Sequence, residues 1–104
     1  MASSIRVRTR TSDGITMVRA IIRHPMETGF RSDPETGEII PAHYIKLLTV
    51  KHNDRTILSC DWSRAVSRNP YLAFQFRGGR PGDTLELAWL DNRDKTDSVK
   101  TQIE

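Results

Sequence analysis

One cysteine, Cys60, stands in the 104 residues, so an internal disulfide is excluded, and the compartment stays open. The N-terminal MASSIRVRTR has no apolar stretch like the core of a signal peptide. No run approaches the ~18 apolar residues of a membrane-spanning helix. On residues alone the expectation is a soluble, cytoplasmic chain with no membrane role. Aromatics are scarce at 7% and the net charge is only +3, with acids spread along the sequence among the bases. A nucleic-acid binder usually clusters its charge and interleaves aromatics, so no nucleic acid is expected. No internal repeat, low-complexity tract or sustained helical period is present.

What is present is alternation at period two, broken by Gly, Pro, Asn and Asp clusters every eight to twelve residues. That spacing marks a sandwich or barrel. IRVRT (5–9) sets Arg6, Arg8 and Arg10 on one face, and ITMVRAIIRH (15–24) sets Arg19 and Arg23 opposite Val18, Ala20 and Ile22. Pro25 should end that strand. Asn53-Asp54 reads as a two-residue turn joining strands within 43–62. Unbroken pairing from that turn places Leu58, Cys60 and Trp62 across from Thr49, Leu47 and Ile45 on one face, with Asp61 opposite Lys46 on the other. Tyr44, Leu48, Val50 and Ile57 then point outward, an apolar set expected to bind a partner. Strands are further expected over 71–77, 84–92 and 96–103. About seven antiparallel strands predict an all-β, immunoglobulin-like β-sandwich, with 1–4 a flexible N-terminus and 5–104 one domain.

Chemistry is sparse. In the unbroken register Cys60 and His52 lie far apart on opposite faces of the hairpin, so they form no nucleophile–base pair. No phosphate-binding glycine loop or nucleophile elbow occurs. Glu27, Asp33, Glu35 and Glu38 share a loop with Arg23 and Arg31 and read as solvated charges. The expectation is therefore no catalytic residue and no cofactor. His24, Met26, His43 and Cys60 include soft donors suited to copper(I), yet their spacing fits no closed zinc pattern. No metal is expected; a small copper- or metal-binding β-sandwich is the alternative, decided by metal content. The connection from 24 to about 42 is long for a compact domain, which marks it as functional or disordered. It opens with Met26 and Phe30, residue types common at interfaces.

Four segments, RAIIRHPMETGFR, IIPAHYIKLLTVKHN, NPYLAFQFRG and GDTLELAWLDN, resemble the SoxZ family over nearly the whole chain. The H-P-M-E-T-G stretch (24–29), I-P-A-H (40–43) and N-P-Y (69–71), in that order, carry the resemblance. It implies an immunoglobulin-like subunit of the thiosulfate-oxidising Sox complex that forms a heterodimer with SoxY. SoxY carries the sulfur intermediate on a cysteine in its glycine-rich C-terminal arm. This chain ends SVKTQIE and holds Cys60 mid-strand, so a partner role is expected, in which it helps present SoxY to the Sox enzymes. The resemblance also implies a periplasmic protein exported bound to SoxY, against the cytoplasmic reading above. His24, Met26 and Glu27 are expected to line the region visited by the carrier arm or an incoming enzyme.

Overall fold

The computed structural model describes residues 3–104. Seven strands follow the turn signals: β1 (Ile5–Ser12), β2 (Ile15–Ile22), β3 (Ile45–His52), β4 (Arg55–Asp61), β5 (Tyr71–Arg77), β6 (Thr84–Asp91) and β7 (Thr96–Gln102). They form two antiparallel sheets, β1-β2-β5 and β4-β3-β6-β7. This is the immunoglobulin-like arrangement with the fourth strand paired to the third. The two tight hairpins need left-handed backbone, supplied by Asp13 (φ 52°) with Gly14 (φ 77°) and by Asn53 (φ 47°) with Asp54 (φ 67°).

The alternation read from the sequence fills the space between the sheets. Val18, Ala20 and Ile22 from one sheet meet Ile45, Leu48, Val50, Leu85, Leu87 and Trp89 from the other, with Met26 and Ile103 closing the ends. Gly79 is a close-approach glycine. A Cβ there would overlap the hydroxyl of buried Thr16 and press on Ile103 Cδ1 at 3.3 Å. The expected flexible start divides: residues 1 and 2 lie outside the described residues, whereas Ser3 and Ser4 are held. Ser4 N–H and Oγ donate to Asp97 at 2.7 and 2.6 Å, and Trp89 Nε1 donates to Ser4 Oγ at 3.0 Å.

The β3–β4 register departs from the expectation within two residues of the turn. His52 pairs with Arg55 and Lys51 with Thr56, but Val50 then pairs with Leu58, leaving Ile57 as the extra residue of a bulge. Beyond it, Leu48 faces Cys60 and Leu47 faces Asp61. A second bulge, between Ile45 and Leu47 in the β3–β6 pairing, lets Ile45 and Leu48 both point inward. Leu48 and Val50 are therefore fully buried, at 0% exposure, and cannot touch a partner. Tyr44 and Ile57 are half-buried and pack against the core. The outward set on β3 is Leu47, Thr49 and Lys51.

The bulge also moves His52 and Cys60 onto one face, because Cys60 pairs with Leu48 and both Leu48 and His52 lie on the core side of β3. They remain four β3 positions apart, roughly 13 Å at ~3.3 Å per residue. His52 Nε2 instead bonds Asp83 at 2.8 Å. Burial foremost, with Asp61 nearby, pushes the Cys60 thiol up, which favours its protonated form.

The long connection is a ribbon. Bridges Glu27–His43 and Ser32–Ile39 pair its two limbs, with Ile40 N–H donating to Arg31 O at 2.8 Å. Its tip turns through Pro34–Gly37, where Asp33 Oδ1 accepts the Glu35 N–H at 2.8 Å. The molecule measures 53 × 25 × 21 Å, about twice the ~26 Å that an eight-residue strand spans.

Candidate functional site

The base of the ribbon is built on Asp91. In TLELAWLDN the period-two alternation that buries Leu85, Leu87 and Trp89 also turns Asp91 inward, leaving it 1% exposed. A buried carboxylate needs every lone pair filled. Oδ1 accepts the backbone N–H of Arg93 at 2.9 Å and of Lys95 at 3.0 Å. Oδ2 accepts from His43 Nε2 at 2.8 Å and His24 Nε2 at 3.2 Å. Four donors saturate the group. Burial works to raise its pKa, but these hydrogen bonds outweigh burial and hold it at about 2.

His24 enters the site from the end of β2. Pro25 follows it, and Asn69 fixes its backbone, accepting the His24 N–H at 3.0 Å and donating to its carbonyl at 2.9 Å. Its Nδ1 accepts the Met26 N–H at 3.2 Å, so the neutral ring carries its proton on Nε2, aimed at Asp91. Trp89 and His43 meet the ring edge-on, at centroid distances of 5.1 and 4.5 Å. Burial is the leading cause that pushes the His24 pKa down.

Met26 takes a left-handed backbone (φ 49°), which turns its side chain inward to 4% exposure; Sδ accepts the Ile45 N–H at 3.3 Å. Asn92 completes the clamp, accepting the Tyr44 N–H at 2.8 Å and donating to Ala42 O at 2.9 Å. Both limbs of the ribbon are thus tied to the end of β6.

Of the expected recognition residues, His24 and Met26 belong to the core, and the burial of each removes it from any surface an arm could visit. Glu27 is partly exposed, its side chain at 17%, and accepts from Arg31 Nη2 at 2.6 Å. The soft-donor set also separates: His24, Met26 and His43 come together, while Cys60 sits on β4. Asp91 takes the fourth place. Sequence reasoning passed over it, although its parity with Leu85, Leu87 and Trp89 marked an inward-facing acid.

Ligand atoms of His24, His43 and Asp91 lie within 4.8 Å of one another. The hydrogen bonds oppose a metal there. An ion on His24 Nε2 would shift the ring proton to Nδ1, against the Met26 N–H, and would displace two N–H donors from Asp91. The cluster is satisfied as a hydrogen-bonded knot.

The knot makes folding acid-sensitive in two windows. The unfolded chain protonates at His24 before the folded one does, so stability declines as the pH falls below about 6.5. Asp91, at about 2 against an ordinary 3.8, contributes fully above about pH 4 and loses its contribution as pH falls toward 2. That loss is roughly 2 kcal/mol. Urea midpoints measured across pH should fall in both windows; a midpoint constant between pH 7 and 5 would remove the His24 assignment.

A model of the family described as "Sulphur oxidation protein SoxZ" matches residues 5–102. No curated protein matches the chain. Among solved structures, a hypothetical protein from Pyrococcus horikoshii is similar at 14% identity with a TM-score of 0.65, over 96% of this chain and 87% of that one. A superoxide reductase in the oxidised state is similar at 11% identity with a TM-score of 0.67, over 98% and 88%. These two likenesses establish the sandwich alone. The family match spans nearly the whole chain: the protein belongs to the SoxZ family.

Proposed function

We propose that the chain is the non-catalytic partner subunit of a Sox sulfur-carrier heterodimer. It binds a SoxY-like subunit, which holds the sulfur intermediate on its C-terminal cysteine, and helps present that subunit to the Sox enzymes in the periplasm. The family match over residues 5–102 carries this reading. The chemistry agrees with a binding role. Cys60 and His52 are apart on their strands, and buried Asp91 is saturated by its own neighbours.

The ribbon is the structural candidate for the heterodimer contact. It exposes Phe30 (79%) and Ile39 (65%), and the Asp91 knot mounts it on the sandwich. Arg64 stacks on both Phe30 and Tyr44, at 5.4 and 5.9 Å from the ring centres, so Phe30 is presented from a fixed position. Aromatic side chains that become buried on association are among the anchors that dominate binding energy at interfaces.

Co-expression with the SoxY-like subunit tests both levels. The wild-type pair should co-purify, and this chain should reach the periplasm only when the exported subunit is present. Phe30→Asp with Ile39→Asp should weaken the pair by about a hundredfold, the loss of two hot-spot anchors. Undiminished affinity moves the contact off the ribbon; a wild-type pair that never associates overturns the heterodimer.

A further inference from the structure

The outer face of the three-stranded sheet carries a concentration of positive charge. β1, β2 and β5 contain no acid, and strand parity turns their arginines to one side of the sheet. Arg6, Arg8 and Arg10 on β1, Arg19 on β2 and Arg77 on β5 are all exposed on the side away from the core. Arg23 continues the β2 alternation and is also exposed. Six arginines thus share a face on which β1, β2 and β5 place no acid and no lysine. The rest of the chain holds the other ten bases against all thirteen acids. Among the described residues none of the six arginines is in an ion pair.

The register interleaves this charge with apolar groups. Arg6, Ile21 and Tyr71 form one row across the sheet, Arg8, Arg19 and Ala73 the next, and Arg10, Met17 and Gln75 the third. Ile21, Tyr71 and Met17 are 51%, 59% and 41% exposed, three of the five large hydrophobic side chains that face solvent among the described residues.

We propose that this face docks an acidic protein surface in a transient, electrostatically steered contact, with the Arg8–Arg19 row at its centre. The composition favours a protein over other polyanions: arginine, methionine and tyrosine are the residues enriched at protein interfaces, and lysine is depleted there. Planar guanidinium groups hold carboxylates in paired hydrogen bonds. A permanent heterodimer buries a mainly apolar surface, whereas unpaired charge on both sides speeds encounter and release. A subunit visited in turn by several enzymes needs such a contact. The charge of the face is independent of the SoxY pairing proposed above, although the choice of Sox enzymes as visitors rests on that reading.

The test uses the purified heterodimer, or the chain alone if no heterodimer forms, titrated with each purified Sox enzyme of the same system. Low and physiological ionic strength are compared. At least one enzyme should bind faster at low salt, and Arg8→Glu with Arg19→Glu should slow its association about tenfold or more. Arg8→Lys with Arg19→Lys should retain most of the rate, and Arg55→Glu, on the opposite sheet, should leave it unchanged. Circular dichroism of the paired Glu variant should match wild type, since both side chains are exposed. The proposal is overturned if no enzyme distinguishes the Glu variant, or if the Arg55 change slows association equally. It is also overturned if phosphatidylglycerol vesicles or duplex DNA bind more tightly than every enzyme and lose that binding in the Glu variant. Failure of the SoxY pairing is read separately, from co-purification.

Discussion

Asp91→Asn should destabilise the fold by about 3–5 kcal/mol, the range found when one partner of a buried charged network is removed. An asparagine has one acceptor oxygen and an NH2 group where the carboxylate has two oxygens. Four N–H groups converge on Asp91: two imidazole groups and the backbone of Arg93 and Lys95. In the variant the NH2 must oppose two of them in a site that is 1% exposed. Domains of this size are stabilised by about 5–15 kcal/mol in total, so the melting temperature should fall by roughly 15–25 °C. The damage should also spread in a particular direction. His43 and Asn92 anchor the returning limb of the ribbon, and His24 with Met26 anchors the outgoing one. Amide exchange should therefore accelerate over residues 27–43 before it does so in β2 or β6. A loss below about 1 kcal/mol would show that the four hydrogen bonds are dispensable.

The same residue shows how far the sequence was legible. Strand positions, the Asn53-Asp54 turn and the stop at Pro25 are local properties, written in short stretches, and they agree with the structure. The knot is a different kind of feature. Its members lie on β2, on the ribbon and on β6, and only the closed sandwich brings His24 and Asp91, 67 positions apart, within 3.2 Å. Parity alone marked Asp91 as inward, but not what would satisfy it. Met26 was expected in the recognition region and is buried instead, for a related reason. Its direction depends on a left-handed backbone that methionine rarely adopts, and which is stabilised here by contacts with His24 and Ile45.

The β3–β4 hairpin failed for a third reason, and it yields the sharpest contrast between sequence and structure. Leu48→Asp should abolish folding, with a loss above about 4 kcal/mol, because it places an unpaired carboxylate among Val50, Leu87 and Trp89 in the core. Leu47→Lys, one residue away, should cost no more than about 1 kcal/mol. Leu47 faces outward, half-buried, directly opposite Asp61, and a lysine there gains a cross-strand charge pair. Unbroken alternation from the Asn53-Asp54 turn reverses this order, putting Leu47 inside and Leu48 outside. Two bulges decide between the registers, one at Ile57 and one between Ile45 and Leu47. A bulge adds a residue without adding a turn signal, and each one exchanges the two faces beyond it. What selects the bulged register is the number of large side chains the core can hold. Turning Leu48 and Val50 inward seats both beneath Trp89 and Leu87, whereas the unbroken register would seat Thr49 and Leu47 there and leave Val50 in water. Urea denaturation of the two variants separates the registers, since a folded Leu48→Asp protein together with an unfolded Leu47→Lys protein would restore the unbroken hairpin.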